Sequence, residues 1–174
     1  MILTDREIRL EWQDGNIRFD PDIDPSQIGD SSVDLRLHPS LRIPEYDKDI
    51  IIRPSGRTRR ELYGNTVEIG DNGYNLIPLK FVLGSTLEKV ILPDYLVARL
   101  EGKSSLARFG LMIHCTSSHI DPGFKTVIVL EMYNHGPNTL VLERNMLIAH
   151  IVFEKVSMPP SKSYSGQFAD QLGA

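Results

Sequence analysis

A chain of 174 residues with 41% hydrophobic and 24% charged side chains fits one globular domain, which buries roughly 70% of the surface of its unfolded form. A net charge of −4 argues against broad nucleic-acid binding, and no apolar run approaches the ~20 residues that span a bilayer. The single cysteine, Cys115, excludes an intramolecular disulfide and any zinc site built on two cysteines.

The opening Met1-Ile2-Leu3-Thr4-Asp5 lacks the basic and apolar regions of a signal peptide, so a cytoplasmic protein is expected, with neither membrane nor nucleic acid as partner. The same segment carries a helix signature. Thr4 can cap the helix and Glu7, three residues later, completes a capping box, with Leu3 and Ile8 at the staple positions. Gly15 offers the stop, which predicts a helix over about residues 5–13. Short strands with turns follow. Val33, Leu35 and Leu37 alternate with Asp34 and Arg36, a half-buried strand with one polar face. Ile50-Ile51-Ile52 ends at Arg53-Pro54, and Thr66-Val67-Glu68-Ile69 ends at the turn Gly70-Asp71-Asn72-Gly73. Further strands fit residues 75–83, 87–91, 96–100, 111–116, 126–134, 139–142 and 147–155, with one helical turn around Ser104 to Arg108. This is a mainly β protein with a short N-terminal helix, a sandwich or distorted barrel forming one domain over residues 1–174. Residues 157–174 read as a tail; Tyr164, Phe168 and Gln171 suit it to closing over a ligand.

Glu131 is the one charge in the apolar run Val127-Ile128-Val129-Leu130-Glu131-Met132-Tyr133, which reads as a strand covered on both faces. A carboxylate in such a place loses hydration unless partners satisfy it, and it is either a structural ion pair or a general base. Upstream, Gly102-Lys103-Ser104-Ser105-Leu106-Ala107-Arg108 offers basic and hydroxyl groups for an anion, with Ser104 and Arg108 on one face if the segment is helical. Taken alone it is equally a plain turn. The five histidines form no HExxH pair, and there is neither a Walker loop nor a dinucleotide fingerprint. Arg57-Thr58-Arg59-Arg60 reads as a solvated loop before it reads as an anion site.

Taken together, Gly102-Lys103-Ser104-Ser105-Leu106-Ala107-Arg108-Phe109-Gly110-Leu111, His114, Thr116, Ile120-Asp121-Pro122-Gly123-Phe124 and Leu130-Glu131 resemble the dCTP deaminase family of the trimeric dUTPase-like superfamily. The opening helix, Ser31-Ser32-Val33-Asp34-Leu35-Arg36-Leu37, and Leu83-Gly84-Ser85-Thr86-Leu87-Glu88 with Leu92-Pro93 extend the likeness over nearly the whole chain. The resemblance implies a β-clip (dUTPase-like) fold and a homotrimer with active sites between subunits. It implies dCTP bound as its Mg2+ complex, the metal held mainly by the triphosphate, and zinc-independent hydrolysis to dUTP and ammonia, with dTTP a candidate inhibitor. One cysteine cannot build the H-x-E with P-C-x-x-C signature of the zinc deaminases, which agrees.

By the same resemblance Glu131, Ser104 and Arg108 are the catalytic set. Lys103, Ser104, Ser105, Leu106, Ala107 and Arg108 contact phosphate, Asp121 faces the deoxyribose, and Val129 and Leu130 present main-chain groups to the base. Ser117 lies beside the base, and Tyr164, Gln167 and Gln171 belong to a tail that closes over the triphosphate. Three residues depart from the family pattern: Ser117 in place of alanine, Thr126 of glycine and Gln167 of lysine. Two other readings stand beside simple deamination. One is a bifunctional enzyme that carries dUTP on to dUMP and pyrophosphate; the other is a non-catalytic nucleotide-binding trimer.

Overall fold

The computed structural model describes residues 1–44, 64–162, 164 and 173. The expected strand over Ile50-Ile51-Ile52 and the Arg57–Arg60 cluster lie outside the described residues, as do Phe168, Gln167 and Gln171.

Local signals set the first element. Helix α1 covers Asp5–Gln13, and the Thr4 amide donates to Glu7 Oε2 at 3.2 Å. Leu3 and Ile8, the staple pair, are fully buried. At the other end Gly15 takes the left-handed conformation (φ 71°), which any side chain would disfavour. There the Gly15 and Asn16 amides donate to Trp12 O and Glu11 O at 3.0 and 2.9 Å, a Schellman stop.

The strands are β1 (Arg18–Asp20), β2 (Val33–Arg36), β3 (Ser40–Ile43), β4 (Asn65–Glu68), β5 (Tyr74–Leu76), β6 (Phe81–Ile91) and β7 (Leu96–Gly102). After the short helix α2 (Ser104–Ala107) come β8 (Leu111–Met112), β9 (His119–Ile120), β10 (Lys125–Asn134), β11 (Leu140–Leu142) and β12 (Leu147–Lys155). All named pairings are antiparallel. One sheet runs β4-β3-β6-β10-β8 with β1 also on β6, a second runs β2-β12-β7-β9, and β11 pairs with β5. The expected barrel is distorted to the point of being open: among the described residues the sheets do not close. Their inner faces share one core, in which Val33, Leu35, Leu100, Leu130, Met132, Ile151 and Phe153 are at most 1% exposed.

Alternation in β2 is as the sequence implies, with Val33 and Leu35 inward and Asp34 and Arg36 half-buried. Three expectations are revised. The strands drawn at 75–83 and 87–91 are instead a short β5 and an eleven-residue β6, separated by a turn in which Leu79 adopts φ 62°. Gly84 stands mid-strand, where a Cβ would meet Met132 Cε at 2.6 Å; its bareness makes room for core packing. The strand drawn at 111–116 stops at Met112, and residues 113–118 leave the sheet. Finally, β10 is covered on one face only. Ile128, Leu130 and Met132 are buried, whereas Val127, Val129, Glu131 and Tyr133 share a half-exposed face.

Among the described residues the fully buried carboxylate is Glu88, at 0% exposure. The β6–β10 register passes from Val127↔Lys89 to Val129↔Ser85, so Thr86, Leu87 and Glu88 stand opposite Ile128 alone. This bulge is held by Thr86 Oγ1, which accepts from the Ile128 amide at 3.0 Å. Inside it, Glu88 Oε1 accepts from Arg36 Nε at 2.6 Å and Gln27 Nε2 at 3.2 Å, and Oε2 from the Arg36 amide at 2.8 Å. Three donors on one carboxylate satisfy the burial that its charge demands.

Candidate active site

Helix α2 forms where β7 ends. The Leu106 and Ala107 amides donate to Lys103 O at 3.0 and 2.9 Å, and the Arg108 amide donates to Ser104 O at 3.1 Å. The turn is anchored beyond Arg108 by Gly110, whose φ of 95° suits only glycine and whose missing Cβ leaves room for Gly136. The His135 amide donates to Gly110 O at 2.8 Å, tying this turn to the end of β10, the strand that carries Glu131. Ser104, Ser105, Ala107 and Arg108 are exposed, and Leu106 is half-buried against the core.

Glu131 sits on the outer face of β10, opposite Leu83 of β6. Its Oε2 accepts from the Cys115 amide at 3.0 Å. That bond explains why residues 113–118 leave the sheet: the amide that a strand would give to a neighbouring carbonyl goes to a side chain. Cys115 Sγ lies 4.0 Å from Glu131 O. Burial, and then the Glu131 charge, push the Cys115 thiol above its ordinary pKa. Exposed Ser117 stands two residues along the same segment, and Val129 and Leu130 precede Glu131 on β10, the first half-buried and the second buried.

The Ile120-Asp121-Pro122-Gly123-Phe124 turn packs on Leu92-Pro93. The Leu92 amide donates to Phe124 O at 2.8 Å and the Gly123 amide to Pro93 O at 3.4 Å. Asp121 is exposed, with Oδ1 3.4 Å from His119 Nε2. Tyr164 rests on this turn, its amide donating to Pro122 O at 3.3 Å and its ring centroid 5.9 Å from that of Phe124.

The fold sets Tyr164 on the turn that carries Asp121 and ties Glu131 to the segment that carries Ser117, but it does not gather the sequence-predicted residues in one place. Among the described residues, no hydrogen bond or ion pair joins the side chains of Ser104 or Arg108 to Glu131. No group of three or more His, Cys, Asp and Glu side chains gathers as a metal site among them either. Two partners were not foreseen: the Cys115 amide on Glu131, and Asp34, whose Oδ2 lies 2.6 Å from Lys103 Nζ although the two are 69 positions apart in sequence. For Asp34, an acid on the polar face of a half-buried strand was the sole signal, and it names no partner.

The sequence profile described as "dCTP deaminase-like" matches residues 2–156. The chain is 40% identical to the dCTP deaminase of Rhodospirillum rubrum over 183 aligned positions, which cover 99% of this chain and 93% of that protein. It is 41% identical to a "dCTP deaminase, dUMP-forming" of Beutenbergia cavernae, covering 98% of this chain and 87% of the other. Among solved structures, the 2'-deoxycytidine 5'-triphosphate deaminase of Agrobacterium tumefaciens superposes with a TM-score of 0.70 at 22% identity. That match covers 89% of this chain and about half (48%) of the other, and it speaks to the fold.

Proposed function

Since the chain belongs to the dCTP deaminase-like family, we propose that Glu131 is the proton carrier of its deamination reaction and that dCTP is bound, as its magnesium complex, between the subunits of a homotrimer. The protein is an enzyme acting on the cytosine amino group: dCTP and water give dUTP and ammonia. A cytosolic location is part of the same proposal, in keeping with nucleotide metabolism.

The observation that carries the assignment is the Cys115 amide on Glu131 Oε2. One carboxylate oxygen is fixed by the main chain, which orients the group, while its place on the half-exposed face of β10 leaves it reachable. In the proposed cycle Glu131 takes a proton from water as the oxygen attacks C4 of cytosine. It delivers that proton to N3, then takes the proton of the new C4 hydroxyl and passes it to the amine, so that C4 becomes a carbonyl as the C4–N bond breaks and ammonia leaves. Proton transfer of this kind contributes ~10²–10⁴-fold. The zinc deaminases acidify water with a metal, but their two-cysteine signature cannot be written with Cys115 alone, so a zinc-free route is assigned.

Ser104 and Arg108 complete the catalytic set, with Arg108 stabilising the ionised Glu131 and helping to orient the water. Lys103 to Arg108 meet the triphosphate, partly that of a neighbouring subunit. Two features favour this shared arrangement. The exposed α2 residues make no hydrogen bond or ion pair with the Glu131 side chain of their own chain. Phe109, Met112 and Val141 expose 66%, 41% and 49% of their surface around that turn, apolar area that subunit contact would cover. Asp121 is assigned to the deoxyribose, the Val129 and Leu130 main chain and Ser117 to the base, and Tyr164 to the closing tail with Gln167 and Gln171. The metal arrives with the substrate.

A second reading, dUMP formation, is favoured by the Beutenbergia cavernae relative, which is as similar as the simple deaminase. Incubation with dCTP and magnesium, followed by resolution of dUTP, dUMP and pyrophosphate, decides between them, and added dTTP tests inhibition. Glu131→Gln is expected to abolish ammonia release while preserving dCTP binding. Turnover near the wild-type rate in that variant refutes the assignment.

A further inference from the structure

The Lys103–Asp34 pair is built into the second sheet in a specific way. Strand β12 lies between β2 and β7, with His150 opposite Asp34 on one side and Ala149 opposite Gly102 on the other. Asp34 and the residue that follows Gly102 are thus two strand spacings across and two residues along from each other, roughly 12 Å. Only an extended lysine stem closes that span, and Nζ reaches Oδ2 at 2.6 Å with the two side chains just 23% and 26% exposed. The acceptor is itself held still. Asp34 O accepts from Gln27 Nε2 at 2.7 Å, and that same nitrogen contacts Glu88 Oε1, which is fixed by Arg36.

At the other end, Lys103 O receives the amides that open α2. Both halves of Lys103 are therefore anchored, the main chain to the α2 turn and the ammonium to β2. An ammonium carries three N–H donors, so its ion pair with Asp34 leaves capacity for an anion. A lysine on the surface loses rotamer freedom when it binds a phosphate; one already extended across β12 has lost it in folding.

We propose that Asp34 is a positioning residue for substrate binding: it acts through Lys103, holding the ammonium where the triphosphate of dCTP meets it. The proposal rests on the reading of Lys103 as a phosphate contact. Asp34 touches no reacting atom in this scheme, so its loss affects affinity and leaves the chemical step alone. The alternative effect, a carboxylate that keeps the lysine away from phosphate, has the opposite sign. It is disfavoured because a partly exposed pair is weak against a polyphosphate.

The test is steady-state kinetics on the full chain with Mg-dCTP. Asp34→Asn keeps the main-chain acceptor for Gln27 and is expected to raise KM roughly three- to tenfold, the cost of ordering one long side chain, with kcat within about twofold. Asp34→Glu restores the charge and recovers part of the loss. In a Lys103→Met background, Asp34→Asn changes nothing further, because the residue it acts through is gone. Where Asn at this position does not fold, Asp34→Ser carries the same comparison. An Asp34→Asn KM at or below wild type overturns the proposal, as does a penalty that persists undiminished in the Lys103→Met background. Wild-type enzyme that releases no ammonia from dCTP refutes the underlying reading instead, so the two failures are distinguishable.

Discussion

Two glutamates in this chain have opposite fates, and substituting each with glutamine separates them. Glu88 is wholly enclosed and receives three donors: Arg36 Nε and Gln27 Nε2 on Oε1, and the Arg36 amide on Oε2. Gln at this position matches the shape but presents an NH2 where an acceptor is required, so whichever way it turns, at least one donor faces another donor. Breaking a buried pair costs about 3–5 kcal/mol. Arg36 keeps 28% exposure and can turn partly to water, which sets the expectation at the lower end, about 3 kcal/mol. For a domain of this size, about 2–4 °C per kcal/mol converts that into a fall in unfolding midpoint of roughly 6–12 °C. Glu131→Gln loses charge at a group that accepts one amide on a half-exposed face, and its midpoint is expected to stay within about 2 °C of wild type. The assay is thermal unfolding at one fixed protomer concentration, since assembly alters apparent stability. A Glu88→Gln midpoint within about 2 °C of wild type refutes the bulge-enclosed network as a source of stability.

The Cys115 thiol is raised by burial and by the Glu131 charge, so at pH 8 it should react with iodoacetamide more slowly than a free thiol. Removing the charge lowers the thiol's pKa and enlarges its thiolate fraction; Glu131→Gln should therefore speed alkylation, read by mass spectrometry, and an unchanged rate would contradict the contact. Gly84→Ala should cost about 1–3 kcal/mol, because the new methyl meets Met132 Cε at 2.6 Å and Leu37 Cδ1 at 3.2 Å in a closed core. Shortening Met132 to Ala in the same chain should relieve part of that cost, so urea unfolding of the double variant should fall short of the summed single losses by about 1 kcal/mol.

Elements set by bonds between near neighbours in the chain were legible in one dimension. Thr4, Glu7 and Gly15 specify both ends of α1 through bonds within a few residues of each other. The 33–37 alternation specifies which face of β2 is buried, and Ser104 to Arg108 form the expected turn with Ser104, Ser105 and Arg108 exposed. The lone cysteine constrains the chemistry without any structure.

What the sequence could not settle is which acid is enclosed. Glu131, surrounded by Val, Leu and Met, reads as the buried one, yet it is half-exposed, and the enclosed carboxylate is Glu88, which its neighbours Leu87 and Lys89 do not mark. The reason is that burial in a sheet depends on what lies across each face and on register, and a bulge that sets three residues of β6 against one of β10 leaves no local mark. The same holds for the Cys115 amide on Glu131 and for Asp34 on Lys103. Hydrogen bonds and ion pairs between strands are decided by the arrangement of the sheets, which depends on the packing of the whole core.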